Sequence, residues 1–282
     1  MSGVVEVAAR YVVNCSMLFP DLPLLLRPRA ARDAGFEAVE FWWPFDTPLP
    51  GDADVERFVR AIDDAGVTLT ALNFTGGDMT AGERGVLSDP ARSRLFRDSA
   101  DIAFGIADRL GTKAFNALYG NRMAGLDTAE QDEVATENLR HVGRIAGRGG
   151  AVILLEPLSG VSTYPLRTAA QAIAVMDRVG EPALRLLADL YHLSVNGDDI
   201  AGAIEHFGDR IGHVQIADDP GRGEPGTGSL DLERYLALLG ARGYCGNISL
   251  EYRPSSADPF EWLPRERRAA DPWDQSVERS NS

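Results

Sequence analysis

Lysine is almost missing from this chain: Lys113 is the only one among 282 residues. It precedes an apolar run, so in a strand it would lie at the end opposite any strand-end site. A Schiff-base nucleophile is therefore nearly excluded. Histidine is scarce too, with four residues, and cysteine scarcer, with two. Two thiols build no disulfide framework, and Cys15 and Cys245 are expected to be small buried hydrophobes. No apolar run reaches the about 20 residues needed to span a bilayer. No basic segment followed by an apolar core opens the chain, so no secretory signal is expected. A cytoplasmic protein with no membrane partner is the default expectation. The net charge is −14 and the pI about 4.7, a balance that repels phosphate backbones and argues against nucleic acid as partner. A small molecule is the expected substrate, and a homo-oligomer is left open.

What the chain does have is a regular alternation. A 44% hydrophobic content over this length suits one barrel of about 250 residues. Short β-type runs occupy 11–14, 38–41, 68–72, 114–118, 152–155, 184–188, 212–216 and 248–250. Helical patterns separate them at 24–34, 54–65, 91–110, 128–146, 168–179, 200–207 and 232–239, each followed directly by glycine. Glycine past a helix is the usual left-handed cap. Eight such units predict a closed (β/α)8 TIM barrel over residues 1–253 rather than an open doubly wound sheet. Residues 254–282 are expected to form an extension, an ordered arm or extra helix packed on the barrel, with disorder near 276–282.

Four of the runs end in an oxygen-bearing side chain: Glu156, Asp189, Gln215 and Glu251. They lie 33, 26 and 36 positions apart, about one strand-plus-helix unit each. A barrel gathers such strand ends at its catalytic face. Three carboxylates crowded there would repel one another, and a divalent cation removes the conflict. An all-oxygen set favours Mg²⁺ or Mn²⁺ over zinc. His192, three residues after Asp189, is expected in a loop at the same face, within reach of substrate. His213 shares a strand face with Gln215 and is either a further ligand or barrel core. His141 and His206 fall on helical stretches and are expected to be inert. Arg222, in the Gly-rich stretch 218–228, is the candidate anion clamp; that stretch could equally be a mobile surface loop. The aromatic run Phe41-Trp-Trp-Pro-Phe45 could wall a pocket or pack as core.

At these residues the sequence resembles the hydroxypyruvate isomerase family of xylose-isomerase-like barrels, from about Tyr11 to Arg253. The resemblance rests on Asn14-Cys-Ser-Met-Leu-Phe19, Gly35-Phe-Glu-Ala-Val-Glu-Phe41, Gly77-Asp-Met-Thr-Ala-Gly-Glu-Arg-Gly85 and, most specifically, Gly212-His-Val-Gln-Ile-Ala-Asp218 followed by Arg222-Gly-Glu-Pro-Gly-Thr-Gly228. It implies that Glu156, Asp189, Gln215 and Glu251 bind the metal and that Glu156 and Glu251 also carry proton transfers. Positions like His192 and Arg222 contact substrate in related ketose epimerases. The expected activity is aldose–ketose isomerisation of a small hydroxy-oxo acid, most simply hydroxypyruvate to tartronate semialdehyde. One stretch departs: Leu158-Ser-Gly-Val-Ser-Thr-Tyr164 lacks the family's usual Asn-containing polar stretch and resembles 2-oxo-tetronate isomerases at least as well. A ketose 3-epimerase, which resembles the family but places His where Gln215 stands, a multi-metal DNA-repair nuclease and a non-catalytic sugar-acid binding protein are the rivals.

Overall fold

The computed structural model describes residues 10–273. Eight parallel strands close in sequence order into a barrel: β1 (Tyr11–Asn14), β2 (Ala38–Phe41), β3 (Thr68–Asn73), β4 (Ala114–Asn116), β5 (Val152–Leu155), β6 (Leu184–Asp189), β7 (Ile211–Ile216) and β8 (Ile248–Leu250), with β8 pairing back to β1. Most strand residues are buried, because each strand has the barrel interior on one face and helices on the other. Closure leaves no sheet edge.

The apolar alternation places the elements well, and the departures have local causes. β4 ends at Asn116 rather than at residue 118. The helix expected at 24–34 begins as a 3₁₀ turn, Leu24–Leu26, and becomes α only over Arg27–Asp33, where Pro28 suits a first turn. Glycine caps the helices in the left-handed conformation at Gly66, Gly111 and Gly180. Gly35 likewise follows its helix with φ +98°, the Phe36 amide reaching back to Ala31 O. At three positions the expected glycine is not the cap, and in two of these Gly150 and Gly243, a few residues on, take the left-handed conformation instead. The helix Thr128–Arg148 runs through Gly147, Leu232–Ala241 runs through Gly240, and Gly208 continues right-handed into a 3₁₀ turn. Cys15 is buried as expected, but Cys245 is exposed. It sits in the loop that precedes β8, where the neighbouring Tyr244 turns inward instead and donates its hydroxyl to Asn247 O.

Register shifts occur at two places, between Val39 and Glu40 on β2 and between Leu186 and Leu187 on β6. The second leaves Gly212 opposite no partner. A Cβ there would sit 2.5 Å from the Cβ of Arg185, so the strands approach that closely only because residue 212 is glycine.

The C-terminal arm packs on the barrel. Phe260 stacks obliquely against Phe36 and Phe19, Trp262 meets Tyr11 and Tyr252, and Trp273 meets Tyr244. Arg268 ties the arm down by donating to the carbonyls of Leu263, Ala34 and Phe260. Its ordered core is a 3₁₀ turn at Arg265–Arg267. The disorder expected near 276–282 lies outside the described residues. Among the described residues no helix is long and apolar enough to cross a membrane.

The loop after β3 crosses the barrel mouth under tight steric control. Gly85 has φ +99°, and a Cβ on it would lie 2.0 Å from the carbonyl oxygen of Leu118; Gly82, at φ +92°, has nothing within 4 Å of the same position. Gly82→Ala therefore tests conformation alone and should cost about 1 kcal/mol. Gly85→Ala adds a backbone clash and should cost roughly 2–4 kcal/mol. Paired thermal unfolding curves measure the difference, and equal losses would contradict the steric account.

Candidate active site

The strand ends carry a polar layer that the apolar runs conceal. Asn14, Glu40, Asn116, Glu156, Asp189, His213, Gln215, Ser249 and Glu251 are all buried. Buried polar groups need partners, and most of these find them in one another. Glu40 is the hub. Its Oε1 accepts from Asn14 Nδ2 at 2.9 Å and Gln215 Nε2 at 2.8 Å, and its Oε2 lies 2.7 Å from His213 Nε2. Burial alone would raise the Glu40 pKa, but His213 and these donors outweigh it and hold the carboxyl below its ordinary value. His213 therefore belongs to the interior network, one of the two roles expected of it.

Glu40 is not among the residues that the sequence singles out. It stands inside the apolar run Ala38–Phe41 rather than after it. The available signal is an acid in the middle of a buried strand, which requires a buried partner. Its consequence reaches Gln215. Because Gln215 Nε2 donates to Glu40, the amide is fixed with Oε1 turned away from Glu40, and that oxygen has no hydrogen-bond partner.

The three expected carboxylates meet at the mouth of this layer. Glu156 Oε2 accepts from Asn116 Nδ2 at 2.7 Å. Asp189 ends β6 and also caps the short helix Leu190–Val195, its Oδ1 accepting from the amides of Tyr191 and His192 at 2.9 and 3.2 Å. Glu251 Oε1 accepts from the Trp42 indole at 2.9 Å, while Glu251 Oε2 is buried with no partner. Ligand atoms of Glu156, Asp189 and His192 lie within 4.8 Å of one another. Burial, then the nearby Asp189, pushes Glu156 up to about 8. Burial likewise carries Glu251 well above the usual carboxylate range, although Arg222 opposes it.

His192 lies in that short helix rather than in the loop expected for it, because Asp189 supplies a helix cap immediately before it. Its Nδ1 accepts from the Ser159 amide at 3.1 Å, with Ser159 Oγ 2.7 Å away. A backbone N–H can only donate, so the ring proton sits on Nε2, which lies 3.6 Å from Asp189 Oδ2. Burial lowers its pKa to about 4. At neutral pH His192 is thus an uncharged donor at the cavity wall.

Arg222 comes from a loop that is pinned rather than free. The Asp218 carboxylate accepts from the amides of Asp219, Gly226 and Leu230, and Glu224 accepts from Ser255 and Ser256. Arg222 itself adopts φ +59°, a conformation that a non-glycine residue keeps only when its surroundings enforce it. Its Nη2 reaches Asp189 Oδ2 at 3.2 Å and Glu251 Oε1 at 3.3 Å, its Nε donates to Glu251 O, and the guanidinium lies over the Tyr191 ring. Of the aromatic run, Trp42 walls the cavity, whereas Phe41 and Phe45 pack edge-on against Phe58. Lys113 bonds Gly149 O at the start of β4, away from this face.

Glu156, Glu251, His192, Arg222, Trp42 and Tyr191 help line a cavity of about 440 Å³, near the lower end for small-molecule sites, whereas Asp189 and Gln215 are almost fully buried and are not among its lining residues. The unpartnered oxygens of Gln215 and Glu251, together with Glu156 and Asp189, are all hard donors that a divalent cation would satisfy, so the residues fit the metal expected of them.

The sequence matches the family described as xylose isomerase-like TIM barrel over residues 28–279. A Streptomyces coelicolor protein that carries the hydroxypyruvate isomerase name provisionally is 51% identical over 93% of this chain and 98% of its own. The chain belongs to the hydroxypyruvate isomerase family. The Escherichia coli hydroxypyruvate isomerase is 32% identical over 88% of this chain and 94% of its own, and a Cupriavidus necator 2-oxo-tetronate isomerase is 32% identical over 87% and 93%. The crystal structure of a Brucella melitensis protein named as a family 2 AP endonuclease superposes with TM-score 0.83 at 32% identity, covering 92% of this chain and 99% of that one. The resemblance and the barrel fold expected from sequence both stand, and the expected enzyme class, an isomerase of the aldose–ketose type, is that of the named relatives.

The raised carboxyls fix the sign of a pH effect. A carboxyl whose folded pKa lies above its unfolded value favours folding at low pH and loses that contribution as pH climbs through the folded value. His192, lowered to about 4, works the other way only below the ordinary histidine range, so in chelator-treated protein Tm should fall as pH rises from about 7 past 8, the window set by Glu156. Added Mg²⁺ or Mn²⁺ should restore it, more at pH 9 than at pH 6. Thermal scans across that range check this, and a Tm that climbs with pH in chelator would refute it.

Proposed function

We propose that this protein is a divalent-metal-dependent isomerase that interconverts a small 2-oxo-3-hydroxy acid with its aldehyde isomer, hydroxypyruvate and tartronate semialdehyde being the simplest pair. What supports the reading is that ligand atoms of Glu156, Asp189 and His192 lie within 4.8 Å of one another beside a cavity lined by Glu156, His192 and Glu251, with Gln215 Oε1 and Glu251 Oε2 buried and unpartnered. Glu156, Asp189, Gln215 and Glu251 would hold Mg²⁺ or Mn²⁺. When bound, such an ion supplies polarisation of the substrate carbonyl.

The chain's own groups do the rest. One of Glu156 and Glu251 removes a C3 proton, and the other delivers a proton to C2, while the hydroxyl proton on O3 passes to O2. Isomerisation then balances without any external reductant. A carboxyl with a pKa raised toward neutrality suits such transfers better than an ordinary one. His192, neutral with its proton on Nε2, can donate to the developing enediolate oxygen. Arg222 holds charge balance between Asp189 and Glu251 and closes one side of the cavity. Trp42 fixes the Glu251 carboxyl by its indole N–H.

The related 2-oxo-tetronate isomerase supports the same chemistry on a substrate one carbon longer, and the loop at 158–164 gives no reason to exclude it. A nuclease reading, raised by the name of the Brucella protein, meets a −14 net charge and a small cavity with a single histidine among its lining residues. Both oppose a DNA duplex and a histidine-rich metal cluster.

Glu156→Gln and Glu251→Gln should each lower kcat on hydroxypyruvate by about 10²-fold or more with circular dichroism unchanged. Chelator should abolish turnover of the parent protein, with Mg²⁺ or Mn²⁺ restoring it. Proton NMR in D₂O should show an aldehyde appearing and deuterium entering C2. Full activity in both variants would defeat the assignment, and stereochemical change without an aldehyde would favour the 3-epimerase.

A further inference from the structure

Arg84 is a half-buried charged cavity residue that the mechanism leaves unused. It lies in the loop that follows β3, and the loop is built as a rigid bracket. The Asp78 carboxylate accepts from Thr80 N, Ala81 N and Thr80 Oγ1. Glu83 accepts from Asp78 N and is paired with Arg92. The Arg84 amide donates to Asn121 Oδ1 at 2.9 Å. Beside these, Arg84 Nη1 donates to Met79 O at 3.1 Å and Glu83 O at 2.7 Å. Two carbonyls thereby use both hydrogens of one guanidinium nitrogen and hold the plane in place.

The other edge of the guanidinium is open. Among the described residues, Arg84 Nε and Nη2 donate to no protein group, and no carboxylate lies within ion-pair distance, since the adjacent Glu83 is taken by Arg92. The side chain lines the cavity and is close enough for its charge to act on His192. A half-buried cation with no anionic partner gives up hydration without compensation. Arg222 differs: its Nε and Nη2 already serve Glu251 and Asp189. Arg253 also borders the cavity but is exposed.

We propose that the Nε–Nη2 edge of Arg84, held by the Met79 and Glu83 carbonyls, binds the substrate carboxylate side-on and sets the preference for a small acid over its neutral counterpart. This rests on the isomerase reading for the identity of the substrate, but not for the binding itself. Side-on pairing uses two parallel N–H···O bonds. It places the acid's charge against the β3 loop and its oxo and hydroxyl oxygens toward the strand-end carboxylates. Arg222 is then left to balance Asp189 and Glu251.

Calorimetry of the Mg²⁺-loaded protein with D-glycerate and with glycerol reads the claim without turnover, because the two differ only by carboxylate against hydroxymethyl. Hydroxypyruvate against dihydroxyacetone gives the same comparison in kcat and KM. The parent protein should prefer the acid in both. Arg84→Met should shrink that preference about 10- to 100-fold, the worth of one or two charge-assisted hydrogen bonds, and through Kd and KM rather than kcat. Arg84→Lys, which keeps the charge but not the fork, should fall between them, and Arg84→Gln serves if the Met variant does not fold. An undiminished preference in Arg84→Met, a loss confined to Arg253→Met, or a parent that binds glycerate no better than glycerol would each overturn the proposal. A parent that binds glycerate through Arg84 but leaves hydroxypyruvate unchanged would sink the isomerase reading alone.

Discussion

Three carboxylates at one buried barrel mouth are the constraint on which the rest of this structure turns. Burial opposes ionisation of each, and each opposes ionisation of the others. Glu156 and Glu251 are pushed toward the neutral form as a result. Everything around them can be read as an answer to that repulsion. Arg222 bridges Asp189 and Glu251 from a backbone conformation that only a pinned loop sustains. Asn116 and Trp42 each give one hydrogen bond and so fix a carboxyl orientation. The same crowding that would be a liability in a core makes a cation welcome and disfavours the charged form of two carboxyls that face the cavity.

Below the carboxylates, the Glu40 network separates a structural charge from the reactive ones. Glu40 is buried, yet its pKa is held below its ordinary value by His213, Ser249 and Gln215, with Asn14 donating to the same carboxylate. A fully connected buried polar network rigidifies what it touches, and what it touches is the one neutral donor in the candidate metal set. An amide can present either its oxygen or its nitrogen to a ligand, and rotation between them is cheap. Anchoring Nε2 on a carboxylate removes the wrong choice. This gives Gln215 a reason to work beside a cation without being an acid, since its orientation comes from an acid one layer down.

The sequence discloses the barrel and the strand-end acids for a common reason. A strand buried on both faces is a short apolar run, and an acid that terminates such a run is conspicuous. Glu156 after Val152–Leu155 and Glu251 after Ile248–Leu250 stand out in this way. Glu40 does not, because it sits inside the run Ala38–Phe41 rather than after it, and the ordinary alternation of β2 turns it into the interior network. The helix at Leu190–Val195 is hidden by Asp189, whose side chain serves a cap and the cavity at once. Glycine punctuation locates the ends of the seven expected helices to within a few residues, but it cannot tell a left-handed cap from a glycine that the last turn simply incorporates, as at Gly147 and Gly240. Cys245 escapes the pattern because strand-like neighbours say nothing about which side of a tight loop a residue takes.

Arg84 marks the limit of that kind of reading. Nothing in Gly77-Asp-Met-Thr-Ala-Gly-Glu-Arg-Gly85 distinguishes an arginine paired with its neighbouring Glu83 from one whose free edge faces a cavity. The distinction depends on Arg92, from the next element, capturing Glu83, and on Gly85 allowing the loop to pass against Leu118 where any side chain would collide. The chemistry at the strand ends handles oxo and hydroxyl oxygens and is indifferent to what the substrate carries at its far end. Selectivity among substrates that share this chemistry must therefore arise in the loops, and a positive group held open on the β3 side divides acids from neutral sugars by charge before any proton moves.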